Sequence, residues 1–260
     1  MLPFPEEIHA MSAREKLRYI AIIEARMTSS RLPGKMMMDV GGKPSLQILI
    51  ERLLLSRGLD GIVVATTAQP TDNPICALCS NLGIMAFRGS EENVLERVLC
   101  AAKSAHADVI VEITGDCTLL DPTIIAEAII AYKKSDADFV ANCVSPPHYP
   151  PGMDARIFAT SLLAELAVKT QNPADLEHVS LYFWKHPDEY KLLNLHPPVE
   201  LYAPDLFIAL DNHEDLNLIR MIHDNLNSTG QTFGCRDIIE FLRKNPVLAQ
   251  SNRNALRKKV

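Results

Sequence analysis

Between residues 19 and 143 the chain alternates strictly between short apolar runs and longer segments with apolar residues at helical spacing. The runs "YIAIIEA" (19–25), "GIVVATT" (61–67), "IMAFRG" (84–89), "DVIVEIT" (108–114) and "DFVANC" (138–143) read as strands. Between them, "PSLQILIERLLLSRG" stops at Gly58, and "NPICALCSNLG" has Pro74 in its first turn and Gly83 past its end. "ENVLERVLCAAKSA" follows, and "DPTIIAEAIIAYKKS" opens with Asp121 at the cap and Pro122 at the first turn. Strands that are apolar on both faces and joined by helical crossovers require a sheet covered on both sides. The fold class is therefore α/β, a mostly parallel sheet with helices on both faces.

After Cys143 the rhythm breaks. "VSPPHYPPG" is too rich in proline for regular structure. "MDARIFA", "YKLLNLHPP" and "LFIALD" read as further strands, with helices near 160–170 and 175–186 and an amphipathic helix in "HEDLNLIRMIHDNL". With 260 residues and 47% hydrophobic content, one large core is available. The expected organisation is an N-terminal extension (1–18) and one domain (19–245) with halves at 19–143 and 144–245. A polar tail (246–260) is expected to fray.

Acidic residues outnumber basic ones, 32 to 26, for a formal charge of −6, which argues against a nucleic-acid-binding surface. No apolar run reaches membrane-spanning length, and the first residues carry charges and prolines where a secretory signal needs an apolar core. A reduced, cytoplasmic setting is expected. Cys76 and Cys79 form a C-x-x-C without a second pair or a nearby histidine cluster, so buried helical cysteines are favoured over zinc or redox chemistry.

The first strand empties into "RMTSSRLPGK", which holds Arg26, Arg31 and Lys35 within ten residues. In open parallel sheets, ligands bind beyond the carboxyl ends of the strands, where this loop lies. Guanidinium forks grip phosphate oxygens bidentately, and Ser29, Ser30 and free amides can complete an anion cradle. The alternative is a solvated charged loop. "ITGDCTLLDP" brings Asp116 to the same sheet edge, and "LFIALDNHEDL" ends in Asp211, with Asn212 or His213 capping the next helix. Each aspartate alone could be a turn residue. Together with a phosphate loop they suit a magnesium ion, which takes one or two carboxylates plus phosphate and water oxygens.

These residues are specific enough to carry a resemblance. "EARMTSSRLPGKMMMDVGGKP" is similar to the nucleotide-binding signature of the sugar-activating cytidylyltransferases, which include the CMP-Kdo and CMP-acylneuraminate synthetases. The likeness is greatest to the spore-coat polysaccharide type. It continues through "IVVATT", "FRGSEENVLERV", "ITGDCTLLDP", "YPPGMDARIF", "LEHVSLYFWKHPDEYKLLNL" and "ALDNHEDLNLI", covering about residues 19 to 226. The resemblance implies a nucleotide-diphospho-sugar transferase-like, Rossmann-like fold with a mixed extension that commonly joins a homodimer. It implies attack of a sugar hydroxyl on the α-phosphorus of CTP, with Mg2+ and release of pyrophosphate. By motif position, Arg26, Ser29, Ser30, Arg31 and Lys35 grip the triphosphate, and Asp116 and Asp211 hold magnesium. Arg31, Lys35, Asp116 and Asp211 are thus the catalytic set. Ser90, Glu91 and Asn93 lie where relatives contact nucleotide or sugar, and Tyr149, Asp154 and Arg156 fall on the acceptor side.

The chain departs from the spore-coat pattern at three places. Pro151 and Arg156 stand where an aspartate and a glutamate are usual, Glu112 stands for an arginine, and "NHED" replaces "TPED". A guanidinium in place of a carboxylate suggests an acidic sugar or other carboxylate- or phosphonate-bearing acceptor. His178 is read as a structural or dimer-contact residue in preference to an acceptor contact. Two other functions compete: a glycosyltransferase, which would need a strand-end D-x-D that is absent, and a non-catalytic nucleotide-binding relative.

Overall fold

In the computed structural model, which describes residues 13–144, 146–227, 232–253 and 255, the predicted runs pair into one seven-stranded sheet. In chain order the elements are β1 (Tyr19–Glu24), β2 (Asp39–Val40), β3 (Lys43–Pro44), α1 (Ser45–Leu53), β4 (Gly61–Thr67), α2 (Asn73–Leu82), β5 (Met85–Gly89) and α3 (Val94–Ser104). There follow β6 (Val109–Thr114), α4 (Pro122–Lys134), β7 (Phe139–Ala141), β8 (Arg156–Ala159), α5 (Thr160–Lys169), α6 (Pro173–Glu177), α7 (Leu181–Lys185) and β9 (Leu192–Asn194). Helices α8 (His213–Leu226), α9 (Cys235–Lys244) and α10 (Pro246–Ala249) complete the described chain.

The sheet order is β5-β4-β1-β6-β8-β7-β9, with β2 and β3 forming a small separate hairpin. β1 pairs in parallel with both β4 and β6. Its side chains alternate between two cores: Tyr19, Ala21 and Ile23 join one, Ile20 and Ile22 the other. Each fully buried Ile contributes about 2 kcal/mol relative to exposure, which is why this strand sits in the middle. "MDARIFA" does form a strand, β8, but it wedges antiparallel between β6 and β7, with Glu112 opposite Arg156.

Three expectations are corrected. The run 175–186 is not one helix; it breaks into α6 and α7 at His178, whose backbone (φ −115°, ψ 82°) leaves helical space. "LFIALD" is not a strand: the Ile208 and Leu210 amides donate to the Pro151 and Asp116 carbonyls, at 2.9 Å each, in place of a ladder. The tail does not fray at its start. Asn252 is 2% exposed, and its amide donates to the Phe207 carbonyl and to Asp215 Oδ1. Residues 1–12, 254 and 256–260 of the expected extension and tail lie outside the described residues. No helix among the described residues is long and apolar enough to cross a membrane.

Candidate active site

The loop after β1 is held from beneath by Asp72. This carboxylate is fully buried and accepts from the Met27 amide (2.8 Å), the Thr66 hydroxyl (2.9 Å) and the Thr67 amide and hydroxyl. Burial works against its charge, but these donors hold its carboxyl below the usual carboxylate range. The Gly34 amide closes the loop onto the Met27 carbonyl at 2.8 Å. Gly34 itself adopts φ 76°, a left-handed conformation that favours glycine. The chain then turns so that Lys35 points inward.

Lys35 ties the cationic loop to both predicted aspartates. Its ammonium donates to the Leu210 carbonyl at 2.7 Å and lies 3.3 Å from both Asp116 Oδ2 and Asp211 Oδ1. Arg31 reaches the same Asp211 oxygen at 2.8 Å. Asp116 follows β6 directly, whereas Asp211 comes from the irregular run before α8, stitched in by the Leu210 amide on the Asp116 carbonyl. Asn212, not His213, caps α8: its side chain accepts from the Asp215 amide, and Asp215 reciprocates in a capping box. Gly115 is required where β6 ends, since a Cβ there would lie 2.7 Å from the Glu24 carbonyl oxygen. Burial opposes the charge on Asp116, but Lys35 and the Thr114 hydroxyl hold its carboxyl below the ordinary range.

A cleft of ≈ 250 Å³ opens over these groups. Arg26, Ser29, Ser30, Arg31, Lys35, Asp116 and Asp211 line it together with Glu24, Arg97, Glu177 and His178. Seven of the predicted site residues thus meet in one place. Asp116 and Asp211 supply hard oxygen donors within reach of one cation, a set that fits magnesium. No cluster of three or more metal-ligating side chains occurs among the described residues, so the other ligands would be phosphate and water oxygens.

The remaining predicted residues do not line the cleft. The Asn93 side chain caps α3 by accepting from the Glu96 amide, and the Ser90 hydroxyl accepts from the Asn93 amide. Glu91 braces the phosphate loop, accepting the Thr28 hydroxyl at 2.7 Å, while its carbonyl accepts from Arg26 at 3.4 Å. Tyr149 is 5% exposed and belongs to the core, because its loop folds back through Gly152 (φ 105°) onto Ile208 and Ala209. Asp154 and Arg156 form an ion pair at 3.1 Å beside the cleft, and Arg156 also lies 3.7 Å from Glu112. The charge reversals at positions 112 and 156 therefore form one cross-strand pair. The guanidinium is neutralised by the protein, which removes the reason for expecting an acidic acceptor.

Four residues around the cleft were not singled out from sequence as its lining or support. Asp72 and Glu24 are acidic residues in ordinary-looking positions, and Glu177 had no signal. Arg97 is 2% exposed within an amphipathic helix, and it donates to the Ser90 and Glu91 carbonyls. His178, read as a structural or dimer residue, lines the cleft because the helix breaks there. Burial pushes the Glu24 carboxyl up, and the nearby Glu112 pushes the same way. Burial likewise raises Glu112 and Asp154 against the pull of Arg156.

The comparisons with known proteins agree with this geometry. The cytidylyltransferase family model matches residues 20–225. An uncharacterized protein of Methanocaldococcus jannaschii is 34% identical over 242 residues, covering 93% of this chain and 97% of that one. The Bacillus subtilis spore coat polysaccharide biosynthesis protein SpsF is 31% identical over 232 residues, covering 86% and 94%. The solved structure of a cytidylyltransferase from Leptospira borgpetersenii has a TM-score of 0.84 at 30% identity, covering 94% of this chain and 100% of that one. A CMP:2-keto-3-deoxy-manno-octonic acid synthetase complexed with CTP shares the fold, with a TM-score of 0.58 at 17% identity over 80% and 99%. The chain belongs to the cytidylyltransferase family and is an enzyme of that kind.

Proposed function

We propose that the protein transfers a cytidylyl group from CTP to a hydroxyl of a sugar acceptor, releasing pyrophosphate, in the assembly of a surface polysaccharide or glycoconjugate. The observation that carries this reading is the meeting of Arg31 and Lys35 with Asp116 and Asp211 at the mouth of the sheet. The family supports CTP as donor, and similarity to SpsF supports the polysaccharide setting.

In the reaction, the acceptor oxygen bonds to the α-phosphorus while the bond to the bridging oxygen of pyrophosphate breaks. Arg26, Ser29, Ser30 and the loop amides orient the triphosphate. Arg31 and Lys35 stabilise charge growing on the leaving pyrophosphate, each contributing on the order of 3 kcal/mol. Bound between Asp116 and Asp211, magnesium would supply Lewis-acid polarisation of the phosphate. Asp116, held ionised, is suited to holding a cation and is a weak base, so the hydroxyl proton leaves to solvent. By the family resemblance, the extension after β7 is the expected surface of a homodimer, which light scattering would test.

The test incubates the protein with magnesium and CTP, UTP, ATP or GTP in turn, across a panel of sugars, and measures pyrophosphate release. Release with CTP and one acceptor class is expected. Release with another nucleotide alone would overturn CTP as donor, and its absence with every pair despite CTP binding would count against catalysis.

A further inference from the structure

We propose that Arg97 is a fourth cation of the nucleotide site, seating a phosphate group of the bound triphosphate together with Arg26. The proposal rests on the cytidylyltransferase reading and deepens it by a substrate-binding residue from outside the loop after β1.

Arg97 is out of place on its own helix. The buried face of α3 is otherwise apolar, with Val94, Leu95, Val98 and Leu99 around it, yet the arginine is carried there at 2% exposure. Its stem runs beside the end of β5, where a Cβ on Gly89 would come within 3.0 Å of Arg97 Cγ. At the head, Nη1 donates to the Ser90 carbonyl and, at 3.4 Å, to the Glu91 carbonyl. Arg26 donates to that same Glu91 carbonyl, also at 3.4 Å. Two nitrogens that reach one oxygen atom are close enough to reach different oxygens of one phosphate. Both arginines line the cleft, with Ser29 and Ser30.

These two guanidiniums lack a counter-charge from the protein. Neither forms an ion pair with a described residue, in contrast to Arg31 and Lys35, which meet Asp211 and Asp116. Arg97 Nε is buried without a partner, and Nη2 makes no hydrogen bond to a described residue. The Nε–Nη2 edge, the fork that grips anions, is therefore open. Burial pulls the pKa of this guanidinium down and Arg26 acts the same way, yet arginine stays protonated at neutral pH. The nearby Glu24 carboxyl, raised to about 8 by burial and by Glu112, holds a proton there and does not neutralise it. Asp72 and Glu91 attract it only from a distance, engaged as they are by the Met27 amide and the Thr28 hydroxyl. Buried like charges that share one neutral acceptor are costly, and an incoming anion removes the cost. A base or a sugar hydroxyl would fill hydrogen bonds and leave both charges. A phosphate presents separate oxygens to both arginines and brings the charge they lack.

The experiment is calorimetric titration with CTP and magnesium on the wild type, Arg97→Gln and Arg97→Lys, with a melting curve for each. Glutamine still donates to the turn carbonyls but has no charge, whereas lysine keeps the charge without the planar fork. Arg97→Gln should weaken CTP binding by about 10- to 100-fold, the scale of one hydrogen bond to a charged group. Arg97→Lys should recover about threefold or more of that loss, because the triphosphate is the anionic part of CTP. Wild-type affinity in Arg97→Gln overturns the proposal. So does an equal loss in both variants, which would confine Arg97 to holding the 90–91 turn. If Arg97→Gln does not melt cooperatively, Arg97→Lys is compared with the wild type alone. Binding weaker by about threefold or more at an unchanged melting temperature then supports the proposal, and wild-type affinity overturns it. A wild type that binds no CTP defeats the nucleotide reading and this one with it, whereas CTP binding that ignores position 97 defeats this one alone.

Discussion

Removing the ammonium of Lys35 would leave Asp116 and Asp211 facing each other without the cation that each now meets at 3.3 Å. Lys35→Met should therefore lower kcat/KM for pyrophosphate release by about 10²–10³-fold, the scale for losing one preorganised donor. Asp211→Asn keeps the shape and removes the charge, and it should abolish turnover while CTP still binds; unchanged turnover would remove Asp211 from the chemistry. Glu24 makes a prediction about stability. Its carboxyl is raised from the ordinary carboxylate range to about 8, so the folded state binds a proton that the unfolded state has already released. Stability contributed by this residue therefore falls as pH rises across that window. Glu24→Gln should melt above the wild type at the alkaline end, and the gap should close as pH drops to the carboxylate range. At this scale, Arg31, Lys35, Asp116 and Asp211 were legible because closely spaced charges after buried runs have few structural uses. Asp72 and Glu24 were not, because a loop aspartate and a strand-end glutamate are commonplace until their neighbours are known. Tyr149 misled for the opposite reason: an aromatic among prolines reads as surface, and only its return through Gly152 buries it.

Among the elements, strands β1, β4, β5, β6 and β7 and helices α1 to α4 follow from apolar periodicity and capping chemistry, down to Asp121 accepting from the Thr123 amide at 2.8 Å, whereas the short β2–β3 hairpin was not read. Periodicity could not reveal that β8 slips between β6 and β7, because strand order is decided by long-range packing and not by local pattern. Nor could it show that "LFIALD" finds loop carbonyls instead of a ladder. The phosphate loop depends on its brace as much as on its own residues. Asp72→Ala would strand the amides of Met27 and Thr67, and it should cost about 3 kcal/mol in denaturant unfolding and weaken CTP binding. Because the Asp72 carboxyl is held low in the folded state, its contribution is present above the ordinary carboxylate range. It is lost as pH falls through the depressed value, so the variant and wild type should converge in acid.

Over the whole molecule, the last described segment is fastened to the site through α8. Asn252 donates to the same Asp215 that completes the capping box just after Asp211 and accepts from the Asp211 amide. Asn252→Ala should cost about 1–2 kcal/mol in urea unfolding, and an unchanged midpoint would mean that this fastening contributes nothing to stability. The stitch between Lys35 and Asp211 spans 176 residues of chain. During synthesis at roughly 5–20 residues per second, the cationic loop leaves the ribosome on the order of ten seconds or more before its second carboxylate exists. For that interval the nascent chain offers three clustered cations to any polyanion nearby, the ribosome's own RNA included, and only arrival of residue 211 closes the account of charge.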